Sequence, residues 1–475
     1  MIDLHHLHST LVTALSPCTF SPTSDGVISV PILVFSLALA TVASAASISD
    51  RVRKHLGDRV AVGESPGIIV GVADRQGQIF ASVGVPRLDA QGRKLDEKTV
   101  FEIGSITKTF TALLLQMAVD GGRVRMNDQV KKQLPPGLDL GAQVGGISLL
   151  QLATHCSGLP RMPDNFRPAN PRNPYADYSQ DQFFDWLRKV NLGEPQFSYS
   201  NAGMGLLGQL LEIRSGSKYE SLMRTWIAVP LGLNDTVVSL SAEQRRRSAK
   251  PYSEGIALPM WDIPTLAGAG ALRSTASDVL RWSSLHAGII DSPLRLAMDK
   301  VQSSQGKSGP GTGKVAIGWL IRPSRQGNLM WHSGGTGGTR AWTGFNRRAG
   351  RSVVVLANSS VIVDDIGFHL LNPDLPLRTP RKMSTAPASL LRRCEGIYQI
   401  GEGQLTVKSE ANRLSVQMTG QNPNPAYWEG NLSFFLRAVD AQLTFEEGAD
   451  GKMKSVVLHQ NGKDQRAERL TGTLR

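Results

Sequence analysis

A serine and a lysine stand three positions apart at the predicted start of a helix, in the sequence Ser105-Ile-Thr-Lys108. Residues at i and i+3 of a helix share one face, so the Lys108 amine can reach the Ser105 hydroxyl. The helix N-terminus also favours negative charge that develops at Ser105. Because a serine hydroxyl is a weak nucleophile that needs a base within hydrogen-bond distance, this spacing predicts nucleophilic catalysis by Ser105.

The same spacing occurs twice more, at Ser215/Lys218 and at Ser304/Lys307. Both pairs lie in polar segments rich in glycine and serine, with no apolar helix behind them. The first serine is instead followed by Ile106–Val119, in which apolar residues recur at helical spacing. We therefore interpret the two later pairs as surface residues.

Tyr199 and Asn201 form a second motif, at a loop just before a helix start rich in small residues. The Tyr199 phenol can share or relay the serine proton, and the Asn201 amide can hold a substrate amide. A Tyr-x-Asn triplet is also common in a turn with a packed tyrosine. Tyr199 and Asn201 therefore indicate an active site only in combination with the other motifs of the chain.

A glycine-rich segment from His332 to Gly338 lies between two strand-like runs. Glycines there allow another backbone to approach closely, as a substrate pairing along a sheet edge would. A phosphate-binding loop is the competing interpretation, which we reject because no Gly-Lys-Ser/Thr follows and no helix begins there. We predict that His332, Ser333, Gly334 and Gly335 bind substrate.

In this order the three motifs resemble those of the serine β-lactamase and penicillin-binding protein superfamily. More narrowly, they are similar to class C β-lactamases and the related DD-peptidases, esterases and D-aminopeptidases. The resemblance covers residues 55–370 and includes three secondary markers, at Leu152–Pro160, Pro230–Thr236 and Gly268–Thr275. It implies an α+β fold of the β-lactamase/transpeptidase type, in which helices and a helical insertion flank an antiparallel sheet.

The resemblance also implies a role for each residue. Ser105 would be the acylated nucleophile, Lys108 its proton acceptor, and Tyr199 the general base or acid. The backbone N–H groups of Ser105 and Gly335 would form the oxyanion hole. The chemistry would need neither a metal ion nor an organic cofactor.

Two residues depart from the β-lactamase pattern. His332 stands where most β-lactamases carry lysine, and a histidine there is more similar to certain DD-carboxypeptidases and D-aminopeptidases. Thr107 replaces the small serine or alanine of true class C enzymes. Both departures argue against efficient β-lactam turnover and leave acylation intact. We expect the charge of His332 to affect binding of a substrate carboxylate near pH 6.5, where an unperturbed imidazole titrates.

Composition limits the function classes. The 475 residues carry a net charge of +12, with 41% hydrophobic and 19% charged residues, as in a globular protein with a sizeable core. This excludes a disordered, collagen-like or multispan membrane protein. The positive charge is spread along the chain, so we predict no nucleic-acid partner and a basic surface that could meet an anionic cell wall.

Cysteine and histidine positions offer little further chemistry. Cys18, Cys156 and Cys394 provide no disulfide framework, and the sequence leaves open whether the last two pair. Asp365 and His369 are four positions apart but lack an evident third ligand. We therefore predict no metal site.

The N-terminus reads as a targeting segment. Residues Val27–Ala46 are almost uninterrupted apolar sequence and end in Ala43-Ser44-Ala45, which is an A-x-A cleavage pattern. No basic residue precedes Arg51, so the usual basic n-region is missing. We interpret residues 1–46 as a signal-peptide-like presequence, with a retained membrane anchor as the alternative.

The remaining chain divides into three predicted parts. Residues 51–372 would form the β-lactamase-like catalytic domain. Residues 373–390 contain four prolines and read as a linker. Residues 391–475 alternate short strand-like runs with turn dipeptides, which predicts a small antiparallel β-domain.

These features together predict an exported serine hydrolase, periplasmic or secreted, that acts through an acyl-enzyme on β-lactams or acyl-D-alanyl peptides. Its partners would be these small-molecule or peptidoglycan peptide substrates, without stable membrane association once the presequence is cleaved. One alternative is an esterase on the same scaffold. Another is a penicillin sensor or cell-wall binding protein that is acylated and does not turn over.

Overall fold

The computed structural model describes residues 46–470 except 90–92, 306–308, 310–312, 422, 438 and 461. Most of the predicted presequence, with Cys18, lies outside the described residues, as does Lys307 of one surface pair. We call residues 46–372 the α+β region and residues 396–469 the barrel.

The strands of the α+β region build one large antiparallel sheet and two small ribbons. In chain order they are β1 (Gly67–Asp74), β2 (Gly77–Gly84), β3 (Val100–Glu102), β4 (Tyr252–Ser253), β5 (Ile256–Ala257), β6 (Arg273–Thr275), β7 (Lys314–Val315), β8 (Leu320–Arg322), β9 (Leu329–Gly335), β10 (Arg340–Asn346) and β11 (Arg351–Ala357). Among the described residues, the large sheet has the order β2-β1-β11-β10-β9-β8-β7. Strand β1 pairs with β11, so the two ends of the region share one sheet.

The helices of the α+β region pack on both faces of this sheet, and the last helix described packs against the C-terminal strands. They are α1 (Asp50–Ala61), α2 (Thr107–Asp120), α3 (Ala142–Gly145), α4 (Leu149–Ala153), α5 (Gln180–Leu187), α6 (Asn201–Ser215), α7 (Tyr219–Leu222), α8 (Val229–Leu231), α9 (Ala242–Arg247), α10 (Ala267–Gly270), α11 (Ala276–Ala287), α12 (Arg295–Val301), α13 (Asp364–Leu371) and α14 (Ala388–Cys394). A 3₁₀ turn, Gly104–Ile106, leads into α2, and a π-helical turn, Met223–Ala228, joins α7 to α8.

Strand β1 shows why the sheet must be covered on both sides. Successive strand side chains point to opposite faces. Ile68 and Val70 lie in the core beneath α1 and α13, whereas Ile69 lies in the larger core with the helical insertion. A strand buried on both faces needs a continuous apolar run, which is the pattern of this segment.

A short hairpin forms one edge of the large sheet. The apolar segment from Val315 to Ile321 reverses direction and forms β7 and β8. The Ala316 N–H donates to the Trp319 carbonyl at 2.9 Å and closes the turn. An unbroken apolar run therefore conceals a chain reversal.

The C-terminal residues form a closed antiparallel barrel. Its strands are β12 (Gly396–Ile400), β13 (Gly403–Glu410), β14 (Arg413–Met418), β15 (Asn424–Gly430), β16 (Ser433–Leu436), β17 (Ala441–Glu447), β18 (Met453–Gln460) and β19 (Lys463–Arg469). Pairing of β12 with β19 closes the barrel around its own apolar core. The predicted fold class, an α+β region of β-lactamase/transpeptidase type with a small antiparallel β-domain, is confirmed.

The barrel meets the α+β region through polar contacts. Glu254 accepts hydrogen bonds from the Tyr427 hydroxyl, at 2.5 Å, and from Arg413. Arg381, in the predicted linker, pairs with Glu429 of β15. Helix α14 lies across the predicted boundary between linker and β-domain.

Asp365, one of the two residues weighed for a metal site, belongs to a buried ion-pair network. Its carboxylate lies 2.6 Å from Arg59 on α1, while the His369 Nδ1 atom lies 2.6 Å from the Leu375 carbonyl oxygen. Cys156 and Cys394 are both buried and unpaired. Among the described residues, no helix has the length and apolar character needed to cross a membrane.

Because the barrel has its own core and meets the α+β region through polar groups, we expect the two to fold independently. A chain ending at Pro380 should stay soluble and melt cooperatively, and it should react with a labelled penicillin. A chain ending at Ala349 is the matched control, because it also removes the central strand β11 and should not fold. If the chain ending at Pro380 aggregates like the control, the barrel is part of the catalytic core.

Candidate active site

Ser105 and Lys108 lie together at the start of α2. The Lys108 Nζ atom is 2.8 Å from the Ser105 Oγ atom, 2.9 Å from the Asn201 Oδ1 atom and 2.7 Å from the Ala269 carbonyl oxygen. The Ser105 side chain is partly exposed, whereas Lys108 has no exposed surface. A solvent-accessible hydroxyl thus contacts a buried amine.

Burial acts against the charged form of Lys108. Burial, with a smaller contribution from the charge of Arg161, holds the pKa of Lys108 well below its usual value. A neutral amine has two N–H donors and one lone pair. The Nζ atom donates to the Asn201 and Ala269 oxygens, and its third contact is with the Ser105 Oγ atom. In the neutral amine the lone pair can take this third position and accept the Ser105 proton, as a general base requires.

Tyr199 reaches the same serine from the loop before α6. Its hydroxyl is hydrogen-bonded to Ser105, and the Lys108 Nζ atom lies 4.9 Å from the centre of its ring. Desolvation raises the pKa of Tyr199 to about 12, so the side chain is a neutral phenol at neutral pH. The Tyr199 hydroxyl can therefore act first as a proton donor, and it can accept a proton after it has given one up.

His155 supports Tyr199, a contact that sequence analysis did not predict. Its ring stacks on the Tyr199 ring with centres 4.4 Å apart, and its Nδ1 atom accepts the Ser200 N–H at 3.2 Å. Ser200 in turn caps α6 through Gly203. His155 thus fixes both the tyrosine ring and the start of the helix that carries Asn201. The Leu152–Pro160 marker contained this residue, but no local spacing links it to Tyr199.

The edge of β9 approaches the nucleophile closely. A Cβ atom on Gly334 would lie 2.0 Å from the Ile103 carbonyl oxygen and 3.1 Å from the Ser105 nitrogen. Gly104 has φ +47°, and a Cβ atom there would lie 2.7 Å from the Gly335 nitrogen. Glycine at both positions therefore lets the Ser105 and Gly335 backbones come together. Strand β8 pairs with β9 only as far as Trp331, so the edge beyond it remains open for a substrate.

His332 faces the two proposed bases. Its Nδ1 atom lies 2.7 Å from the Ser333 carbonyl oxygen, so Nδ1 carries the proton, and its buried Nε2 atom has no hydrogen-bond partner among the described residues. Burial, reinforced by Lys108, lowers the pKa of His332 to about 3. The expectation that this imidazole titrates near pH 6.5 is therefore wrong for the unliganded protein. It is a neutral acceptor.

The Ser333 side chain is already hydrogen-bonded within the protein, whereas the Asn201 amide can still bind a substrate. The Ser333 hydroxyl is hydrogen-bonded to Asp364 on α13, so that side chain is engaged away from the nucleophile. Asn201 accepts from Lys108 through Oδ1, while its amide nitrogen has only the Met162 sulfur, at 3.6 Å. A sulfur is a weak acceptor, so the Asn201 amide can donate to a substrate carbonyl.

A narrow cleft opens at Ser105. It is lined by the following residues, among others: Gly104, Ser105, Tyr175, Asn201, Trp261 and Gly335. A larger cavity of about 610 Å³ contains none of the predicted site residues. We therefore identify the candidate active site by its functional groups and not by the volume of a cavity.

Glu102 ties the walls of this cleft together, which sequence analysis also missed. Its carboxylate accepts the Trp261 N–H at 2.6 Å and the Thr336 hydroxyl at 2.8 Å. Glu102 itself is only 3% exposed, and burial raises its pKa to about 7. The residue links the strand before the nucleophile to the tryptophan of one wall and to the turn after Gly335.

The structure brings Ser105, Lys108, Tyr199, Asn201 and His332 into one site, with Gly334 and Gly335 beside them. The rejected Ser215 does not join them. Its hydroxyl donates to the Leu211 carbonyl at 2.7 Å, and Lys218 is exposed. The interpretation of this pair as surface is consistent with these contacts.

The sequence matches the family model described as Beta-lactamase over residues 52–366. Penicillin-binding protein 4* of Bacillus subtilis (strain 168) is 27% identical over 419 residues, which cover 79% of this chain and 89% of that protein. The D-alanyl-D-alanine-carboxypeptidase/endopeptidase AmpH of Escherichia coli (strain K12) is 30% identical over 290 residues, which cover 57% of this chain and 74% of that protein.

Solved structures share the fold. D-alanine carboxypeptidase AmpC from Burkholderia cenocepacia superimposes with a TM-score of 0.60 at 22% identity, covering 68% of this chain and 98% of that chain. The octameric penicillin-binding protein homologue from Pyrococcus abyssi gives a TM-score of 0.59 at 22% identity, covering 88% of this chain and 99% of that chain. The second match extends over most of the chain and is therefore not confined to the α+β region.

Replacement of Glu102 by glutamine should change how stability depends on pH. A carboxyl group whose pKa is raised on folding, from 4.5 to about 7, lowers the free energy of unfolding as pH rises through that window. Glu102→Gln keeps an acceptor for the Trp261 N–H and places an amide donor opposite the Thr336 hydroxyl, which can accept from it. The variant removes this fall, which is roughly 3 kcal/mol at most. Denaturant unfolding at pH 4.5 and pH 7.5 measures it.

The matched control is Glu194→Gln, because Glu194 is exposed on a loop. This variant should keep the pH dependence of the wild type. Equal loss of stability with rising pH in Glu102→Gln and in the wild type would show that the Glu102 carboxyl titrates normally.

Proposed function

The chain belongs to the beta-lactamase family, and on that basis we propose that it is a serine hydrolase that acts through an acyl-enzyme on Ser105. The observation that carries the proposal is the neutral, buried Lys108 amine 2.8 Å from the Ser105 hydroxyl. A hydroxyl beside a base that is uncharged at rest needs no prior deprotonation by solvent.

Acylation begins when the Ser105 Oγ atom attacks the substrate carbonyl carbon and its proton passes to the Lys108 amine. The new oxyanion accepts hydrogen bonds from the Ser105 and Gly335 backbone N–H groups. The acyl C–N bond then breaks. The Tyr199 phenol donates its proton to the leaving nitrogen and recovers one from the Lys108 ammonium group.

Deacylation runs the same proton path in reverse. A water molecule attacks the acyl carbon, its proton passes through Tyr199 to Lys108, and the Ser105 oxygen leaves as a hydroxyl. Asn201 orients the acyl group through its amide N–H donors, which exchange the weak Met162 sulfur acceptor for the substrate carbonyl.

The substrates are β-lactams or acyl-D-alanyl peptides. Two curated relatives support this choice, since one is called a penicillin-binding protein and another a D-alanyl-D-alanine-carboxypeptidase/endopeptidase. The apolar segment Val27–Ala46 and its A-x-A ending support export to the periplasm or the medium. The same acyl-enzyme chemistry extends to esters, which need less amide recognition.

Replacement of Ser105 by alanine should abolish covalent labelling by a fluorescent penicillin, because no other group in the cleft can form the ester. The wild-type protein should gain the mass of one penicillin on the peptide that contains Ser105. Circular dichroism should show that the variant keeps its fold. Ser215→Ala is the control and should label as the wild type does.

The time course of the adduct distinguishes the alternatives. Release with turnover of a D-Ala-D-Ala peptide or nitrocefin supports the proposed hydrolase, whereas turnover of a short-chain ester alone would make it an esterase. An adduct that forms and persists would make it a penicillin sensor. Labelling that survives in Ser105→Ala would refute the assignment of the nucleophile.

A further inference from the structure

The neutral state of His332 leaves the carboxylate of a substrate without its expected partner. Lys108 does not replace His332 as that partner, because its amine is buried and already contacts Ser105, Asn201 and Ala269. The Arg340 Nε atom donates to the Ser360 carbonyl at 2.9 Å, and the Arg340 charge faces Asp364. The Arg340 Nη1 atom lies beside Gly335, but the Arg340 charge is shared with Asp364. An exposed cation without an ion-pair partner would bind a carboxylate more readily.

Arg161 is that cation. Its side chain forms no hydrogen bond or ion pair with any residue in the described part of the chain, and the residue is exposed. The guanidinium carbon lies 5.1 Å from the centre of the Tyr199 ring, the same ring that Lys108 approaches at 4.9 Å. A free guanidinium group thus borders the reacting groups.

The backbone of Arg161 is fixed even though its side chain is free. Its carbonyl oxygen accepts the N–H of Asn201 at 2.9 Å and that of Ala202 at 3.3 Å, at the start of α6. The guanidinium group therefore projects from a point tied to the motif that carries Tyr199. Its planar fork can bind a carboxylate through two parallel hydrogen bonds, which a lysine or a neutral imidazole cannot do.

The charge of Arg161 also acts on the bases. It lowers the proton affinity of Lys108 and of Tyr199, and its influence extends to His155 and Arg340. No acidic side chain forms an ion pair with it among the described residues. The Arg161 cation thus adds to the effect of burial in lowering the pKa of Lys108.

We infer that Arg161 recognises the carboxylate of the substrate and so determines the specificity of this site for acidic acyl compounds. The inference rests on the proposed function, because it assigns the substrate preference of the Ser105 chemistry. The competing explanation is that Arg161 only packs on the Tyr199 ring.

The test compares matched acidic and neutral substrates. Second-order acylation constants are measured for benzylpenicillin and its methyl ester, and for a D-Ala-D-Ala peptide and its C-terminal amide. In Arg161→Gln the preference for the acid should fall by about tenfold or more, as expected for loss of a charged hydrogen bond. Arg161→Lys should keep part of it, because the charge remains and the fork is lost.

Arg167→Gln is the control, because Arg167 is an exposed arginine of the same loop that bonds to the carbonyl oxygens of Asp164 and Phe166. It should leave the preference unchanged. If Arg161→Gln lowers the acylation constants of the acid and the neutral substrate equally, Arg161 only packs on the Tyr199 ring. That result would overturn the inference. A wild type that is acylated by neither substrate would instead refute the proposed hydrolase.

Discussion

Burial of a single amine is the constraint on which the site depends. Lys108 sits in the first turn of α2 with no exposed surface, surrounded by groups that accept its hydrogen bonds. An ammonium ion there would lose its hydration without gaining an acidic partner. The protein therefore stabilises the neutral form, and the neutral form is a base.

The rest of the site follows from keeping that amine dry and in contact with Ser105. Helix α6 brings Asn201 to Lys108, and α10 brings the Ala269 carbonyl. The same desolvation keeps Tyr199 a phenol and His332 an uncharged imidazole. Arg161, at the rim of the site, is exposed and free to meet an anion.

Sequence reasoning found the groups whose relation is local. The serine and lysine are three positions apart on one helix, and the apolar residues that follow recur at the spacing of that helix. It missed Glu102 because that residue contacts Trp261 and Thr336 across 159 and 234 positions of the chain. It assigned a titrating charge to His332 because burial at the β9 edge leaves no mark in the sequence. The contact between His155 and Tyr199 was not predicted either, because it too joins residues that are far apart in the chain.

The protonation state of Lys108 tests this account most directly. Lysine side chains labelled with ¹³C and ¹⁵N can be followed by NMR over pH, with Lys108→Met identifying the resonance. The account predicts that one lysine titrates well below all the others and is neutral at pH 7, where the rest are charged. A Lys108 resonance that titrates together with the exposed lysines would contradict the account, because the amine beside Ser105 would then be a cation at rest.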